Sequence, residues 1–410
     1  MKRLLFFIGV YDTLDLFTYE LKREFEHLEY ETMIFDVREM GESLRKLVQF
    51  IEQPVEAAIT FNNLGFNMEL HPGKNIWEEL RIPCINILMD HPFCYHTALA
   101  AAPQNAVVLC TDRNHMNYVS RFYPNIPIAG YLPHAGKEIG GIKRPIKERH
   151  IDVLYAGGLS SSFAEKMMPD FSKYSDMDVK KVCEKTYQRL IENPDRTTEA
   201  VLEEVLLEQG IRYEDAKLAE VIADLHFIDL YAVSYFREKT IRVLAESGIR
   251  IMLYGAGWEN CSWINLPNVH YGGRVSAEEI VEKMQDAKIV LSTMTWFKDG
   301  THDRVFNGML QGAAAVSDTS VYMKEEFCWV KRADQTDERE LVMFELPEIS
   351  SLPDQIKELL NNDLLLQNIA DRGYRRAKAE HTWRNRAEEL KADILDDQEL
   401  MRYLHNIYLT

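Results

Sequence analysis

Short runs of consecutive apolar residues alternate with amphipathic stretches along the first third of the chain. The runs are residues 4–10, 32–35, 57–61, 84–89, 107–110 and 126–131, and segments such as 16–28 and 42–51 carry apolar residues at helical spacing. Strands alternating with helices predict parallel pairing through right-handed crossovers, hence a doubly wound α/β sheet. Residues 140–149, GGIKRPIKER, interrupt this rhythm with glycines and charge and predict a linker.

A second series of runs follows at residues 151–155, 249–254, 269–271, 289–292 and 313–317, and helices close the chain from residue 352 onward. Between the first two of these strands lie residues 160–247, rich in Glu, Leu and Lys, with few turn residues beyond Pro169, Pro194 and Gly210. A βα unit needs one helix, so this stretch predicts an insertion of several. The expected fold class is α/β, with two Rossmann-like domains facing a cleft. Their expected limits are 1–149 and 150–385, the second holding the helical insert 160–247, with residues 386–410 as C-terminal helices packing back on the N-terminal domain.

A length of 410 residues exceeds one ordinary core and agrees with two domains. The formal charge of −18 disfavours nucleic-acid backbones and anionic membranes as partners. Six cysteines without a C-x-x-C pair read as buried thiols in a reducing cytoplasm. The N-terminal apolar run is short and is followed by Tyr11, Asp12 and Asp15, which suits a first buried strand better than a signal peptide. No stretch approaches the roughly 20 apolar residues of a membrane span. A cytoplasmic protein without an integral membrane segment is the expectation.

Doubly wound sheets bind ligands where strand carboxyl ends meet helix N-termini. In the second series, Gly157 and Gly158 are followed by serines, a turn that either leaves N–H groups for a phosphate or is an ordinary capped turn. Gly255 and Gly257 form G-x-G without the third dinucleotide-binding glycine, and Trp258 is placed either to stack on a base or to fill the core. Gly273 and Arg274 precede a capped helix start. The most informative stretch runs from Lys298 through Asp299, His302, Asp303 and Arg304 to Asn307 and Gly312. Its polar front falls at a helix N-terminus, which favours an anion. Arg304 opposes the helix dipole there, and its planar fork suits a diphosphate. In the first series, Asp90 and His91 end the run 84–89, where they serve as a general base or polarise a substrate, or else simply cap the strand. His134, Gly9, Tyr11 and Asp12 end other strands and are candidates for lining a second substrate.

The run from Arg304 to Asp318, RVFNGMLQGAAAVSD, together with the later HTWRNR from His381 to Arg386, resembles group-1 glycosyltransferases, most closely the spore-maturation-protein-like branch. The likeness covers roughly residues 250–390. It implies a GT-B fold, with the second domain binding a nucleoside diphosphate sugar (UDP-sugar favoured) and Arg304 holding the pyrophosphate. It further implies hexosyltransferase-like transfer to a protein, peptide or cell-surface glycan acceptor, with no metal and no other cofactor. Relatives place a ribose-binding Glu where this chain has Asn307, a weaker partner for a hydroxyl. Two alternatives stand beside transfer: a nucleotide-sugar epimerase of the same architecture, and a catalytically inactive sugar-nucleotide-binding partner. The acidic, Leu-bearing insert suits homo-oligomerisation or docking of a protein acceptor, or is a plain structural embellishment. On the first two views its deletion spares donor hydrolysis and damages acceptor use or assembly.

Overall fold

A computed structural model of the chain describes residues 2–159, 161–294, 296–330 and 337–407; Ser160, the first residue of the expected insert, lies outside them. Two compact units result, one of residues 1–135 with 381–410, the other of residues 136–380.

The first unit holds a six-stranded parallel sheet of β1 (Arg3–Ile8), β2 (Glu31–Asp36), β3 (Ala57–Phe61), β4 (Cys84–Leu88), β5 (Ala106–Cys110) and β6 (Ile128–Tyr131), in the order β2-β1-β3-β4-β5-β6. β1, β3, β4 and β5 are buried at every position, as continuous apolar runs require of strands covered on both faces. Trp383, Ala387 and Leu390 of the helix Trp383–Leu390 join the core built on these strands, and Trp383 packs 5.1 Å from Phe17. The final segment therefore belongs to this unit. A small hairpin, Glu69–His71 with Lys74–Asn75, was not foreseen from the pattern; its strands are too short and too exposed to show one.

The second unit holds another six-stranded parallel sheet: β7 (Ile151–Ala156), β8 (Ile251–Tyr254), β9 (Val269–Tyr271), β10 (Ala287–Ser292), β11 (Ala314–Asp318) and β12 (Val342–Phe344), ordered β9-β8-β7-β10-β11-β12. This is the 3-2-1-4-5-6 order of dinucleotide-binding sheets, whereas the first sheet follows the 2-1-3-4-5 order. Between β7 and β8 stand the helices Ser161–Lys166, Val179–Glu192, Thr198–Glu208, Asp215–Leu225 and Phe227–Glu246, the several-helix insertion read from composition.

Residues 136–149 are not a free linker. The Lys137 N–H donates to Asn307 Oδ1 at 2.8 Å, and Gln311 Nε2 donates to the Lys137 carbonyl at 2.7 Å. Arg149 is 3% exposed and donates to the carbonyls of Arg144, Ala287 and Gln311. A Cβ on Gly136 would stand 2.7 Å from the Phe306 backbone, so only glycine permits this approach. The segment thus belongs to the second unit, which begins earlier than the boundary at 149/150 suggested by composition.

Candidate functional site

In the second sheet the strand order reverses between β7 and β10, the position at which doubly wound sheets bind ligands. The Arg304 guanidinium lies across these two strand ends. Its Nη2 donates to the Thr293 carbonyl at 3.1 Å, next to β10, and its Nε lies 3.5 Å from Ser292 Oγ. On the β7 side, a Cβ added at Gly157 would meet Arg304 Nη1 at 3.3 Å. Arg304 is 8% exposed, and burial pushes its pKa below the usual arginine value.

A second guanidinium, absent from the sequence-based candidates, stands beside it. Arg237, on the helix Phe227–Glu246, is 5% exposed and donates from Nη1 to the Gly158 carbonyl at 2.8 Å. It lies 4.7 Å from the Trp296 ring centroid, a cation–π contact. Its Nε, and the Nε1 of Trp296, are buried without a hydrogen-bond partner. Among the described residues neither Arg237 nor Arg304 forms an ion pair with a carboxylate. Two buried cations without paired anions are costly, and an anionic ligand bearing several oxygens supplies the compensation. The helical pattern held a signal for Arg237: Val233, Arg237, Ile241 and Leu244 form one buried stripe, and a charge on such a stripe needs a reason.

His302 caps the helix Asp303–Leu310, its Nδ1 lying 3.4 Å from the Arg304 N–H, and its ring touches Asp303. Burial first, then the Arg304 and Arg237 charges, push the His302 ring down to about 4 against the opposing pull of Asp303. The imidazole is therefore neutral at pH 7, and the cradle's positive charge resides in the two arginines.

The remaining donor-side candidates divide. The N–H groups of Gly157 and Leu159 are taken by the carbonyls of Tyr254 and Ala256, and among the described residues the Gly158 N–H has no backbone partner. Gly255, at φ +125°, lets the turn after β8 press against it, since a Cβ there would stand 2.4 Å from the Gly157 oxygen. Trp258 is fully buried, donates from Nε1 to the Gly157 carbonyl at 2.7 Å and packs edge-on with Tyr155 and Trp263. It is a core residue that secures the glycine turn, and base stacking is ruled out. Asn307 has both amide ends engaged: Oδ1 accepts from Lys137, and Nδ2 donates to Asp303 Oδ2 at 2.9 Å. Its role is to fasten residues 136–139, which corrects the ribose-binding expectation. Gly257 occupies a left-handed turn at φ +92°. Gly273 and the exposed Arg274 lie beyond the edge strand β9, and Asp299 is half-buried in the loop after β10.

In the first unit, the order reverses between β1 and β3. Here Gly9 donates its N–H to Asp15 Oδ1 at 2.8 Å, Tyr11 is 64% exposed, and Asp12 opens the helix Asp12–His27. After β3, Asn62 and Asn63 adopt positive φ values of 48° and 64°. Asn62 donates from Nδ2 to Asp90 Oδ2 at 2.9 Å, and the Tyr95 hydroxyl donates to the same oxygen at 2.9 Å. Strained asparagines beside a held carboxylate mark a built site. The pair Asn62-Asn63 before Leu64-Gly65 was a legible turn signal that the strand reading passed over. His91 is 6% exposed, stacks on Phe93 at 3.6 Å and accepts the Phe93 N–H on Nδ1 at 3.2 Å. In the neutral ring the proton then sits on Nε2, which makes it a hydrogen-bond donor and removes the general-base role. His134 is 3% exposed and packs edge-on against Phe17, inside the core.

Residues 237–392 match the family model described as glycosyl transferase-like. No curated protein matches the sequence. Among solved structures, sucrose-phosphate synthase from Thermosynechococcus elongatus shares 11% identity at a TM-score of 0.50, covering 96% of this chain and 98% of that one. Anabaena HepE in complex with UDP and glucose gives 11% and 0.51, covering 96% and 99%. An alpha-glucosyltransferase in complex with UDP-glucose and abasic DNA gives 11% and 0.52 with the same coverage. The chain has the GT-B fold, and most of the glycosyl transferase-like match, residues 237–380, lies in its second unit. No helix among the described residues is long and apolar enough to cross a membrane.

Proposed function

We propose that the chain transfers a sugar from a nucleoside diphosphate sugar, with UDP favoured, to a hydroxyl of a protein, peptide or cell-surface glycan without a metal ion. The observation that carries this reading is the pair of buried guanidiniums, Arg237 and Arg304, placed where the second sheet reverses its strand order. UDP is favoured because several of the solved structures with this fold hold it.

In this reading the acceptor oxygen forms a bond to the anomeric carbon as the bond from that carbon to the β-phosphate oxygen breaks. Arg237, Arg304 and the Gly158 N–H take up the charge that develops on the leaving diphosphate. Fixed cations perform the neutralisation that a divalent ion performs elsewhere. Asp90, oriented by Asn62 and Tyr95, accepts the acceptor's proton.

The test is UDP release from a panel of UDP-, GDP- and dTDP-sugars, with and without EDTA. Release from at least one donor, unchanged by EDTA, is expected. Absence of release from every donor overturns the catalytic reading, and a strict requirement for added divalent ion overturns its metal-free form.

A further inference from the structure

Among the described residues, two contacts join the helical insert to the loop between β10 and the helix of Arg304. One is Arg237, which sits on the insert's last helix and stacks on Trp296. The other is Lys298, two residues beyond Trp296. Its Nζ donates to the carbonyl of Pro194, in the turn between the helices Val179–Glu192 and Thr198–Glu208. Asp229, a half-buried carboxylate on the same helix as Arg237, is pushed up by burial while the Lys298 charge pulls the other way. Asp229 in turn accepts the Thr198 hydroxyl on Oδ1 at 2.5 Å. One lysine therefore bonds to the turn of the insert and places its charge near the insert's last helix.

Pro194, Asp195, Met294, Phe297, Lys298 and Asp318 line a cavity of about 210 Å3 between the insert turn and the ends of β10 and β11. Met294 and Phe297 are each 1% exposed, so Lys298 adds a polar clasp to a packed junction.

We propose that Lys298 is a positioning residue that clasps the insert to the loop 293–300 and so holds Trp296 beneath Arg237. The insert is then a part of the donor site, not a separable docking module, and the clasp sets both donor affinity and how firmly Arg237 meets the leaving diphosphate. The proposal rests on the cradle being the diphosphate site. Releasing the lysine frees the loop, and Arg237 loses the aromatic face that orients it. By linkage, donor bound at the cradle must tighten the clasp by the same factor.

The experiment compares donor KM and kcat, read as UDP release, across three substitutions in the full chain. Lys298→Met should raise donor KM on the order of tenfold, the size expected for losing a desolvated cation–π partner, with kcat falling alongside because Arg237 also meets the leaving diphosphate. Lys298→Arg should restore KM to within about threefold, because it keeps the charge and a donor. Thr198→Val, remote from the cradle, should raise KM about threefold through the Asp229 link. An unchanged KM in Lys298→Met overturns the proposal. So does a wild-type KM in Thr198→Val beside an impaired Lys298→Met, because Lys298 then contacts the donor directly. Failure of the wild-type chain to bind or cleave any nucleotide sugar is a different result, which strikes the donor reading itself.

Discussion

The two sheets present opposite chemistry at the same topological position. In the second unit the reversal point between β7 and β10 carries two buried guanidiniums that pair with no carboxylate among the described residues. In the first, the reversal point between β1 and β3 carries amides at strained backbone positions, which position the Asp90 carboxylate. A cationic crevice suits a leaving diphosphate, and a carboxylate among neutral hydrogen-bonding groups suits a hydroxyl that must lose a proton. The difference teaches that doubly wound topology fixes where ligands bind, while a few buried side chains fix which ligand and which half-reaction.

Substitutions on either side should separate the halves. The largest effect belongs to Arg304→Ala, which should lower kcat/KM for UDP release by roughly 100- to 1000-fold, as removal of a preorganised charge stabiliser does. Asp90→Asn should reduce transfer to an acceptor by roughly 10- to 100-fold, while UDP affinity, measured by calorimetry, stays within about twofold. A parallel loss of UDP binding in Asp90→Asn would break the division of labour.

A smaller effect concerns Asp318, which is 1% exposed at the end of β11 and whose carboxyl burial pushes up to about 6. The native carboxyl keeps its proton where the unfolded one has lost it, so its contribution is full below about pH 4 and is lost as pH rises through 6. Asp318→Asn should therefore raise the melting temperature at pH 8 by about 2–4 °C and leave it nearly unchanged at pH 4. His302 runs the other way: with its ring held down near 4, its contribution is present above about 6.5 and is lost as pH falls toward 4. Thermal melts of wild type and Asp318→Asn between pH 4 and 8 check both slopes.

Much of the architecture was legible because buried parallel strands show as unbroken apolar runs, as in β1, β3 and β4. β12 escaped because three residues, Val342–Phe344, make too short a run. The junction at residues 136–149 read as a linker because Arg149 looks like a surface charge until its three carbonyl partners are known. Arg304 was recognisable because a cation at a helix start opposes the dipole. Arg237 was hidden within a long insert whose composition suggested docking or assembly. With Arg237 beside Gly158, the proposed donor site carries the opposite expectation for deleting residues 160–247, namely loss of donor hydrolysis. Trp258 and Asn307 were misassigned for a shared reason, since sequence spacing places a residue near a site without saying which way its side chain points. Both point inward here, to the Gly157 carbonyl and to Lys137 with Asp303.

The central claim, that Arg237 and Arg304 together grip a diphosphate, is tested most directly by calorimetric titration of UDP into the wild-type chain and into the Arg237→Ala/Arg304→Ala double variant. The wild type should bind with a micromolar-range dissociation constant, and the double variant should lose at least about 100-fold, the weight of two charge-assisted contacts. Equal affinity in the two proteins would contradict the account.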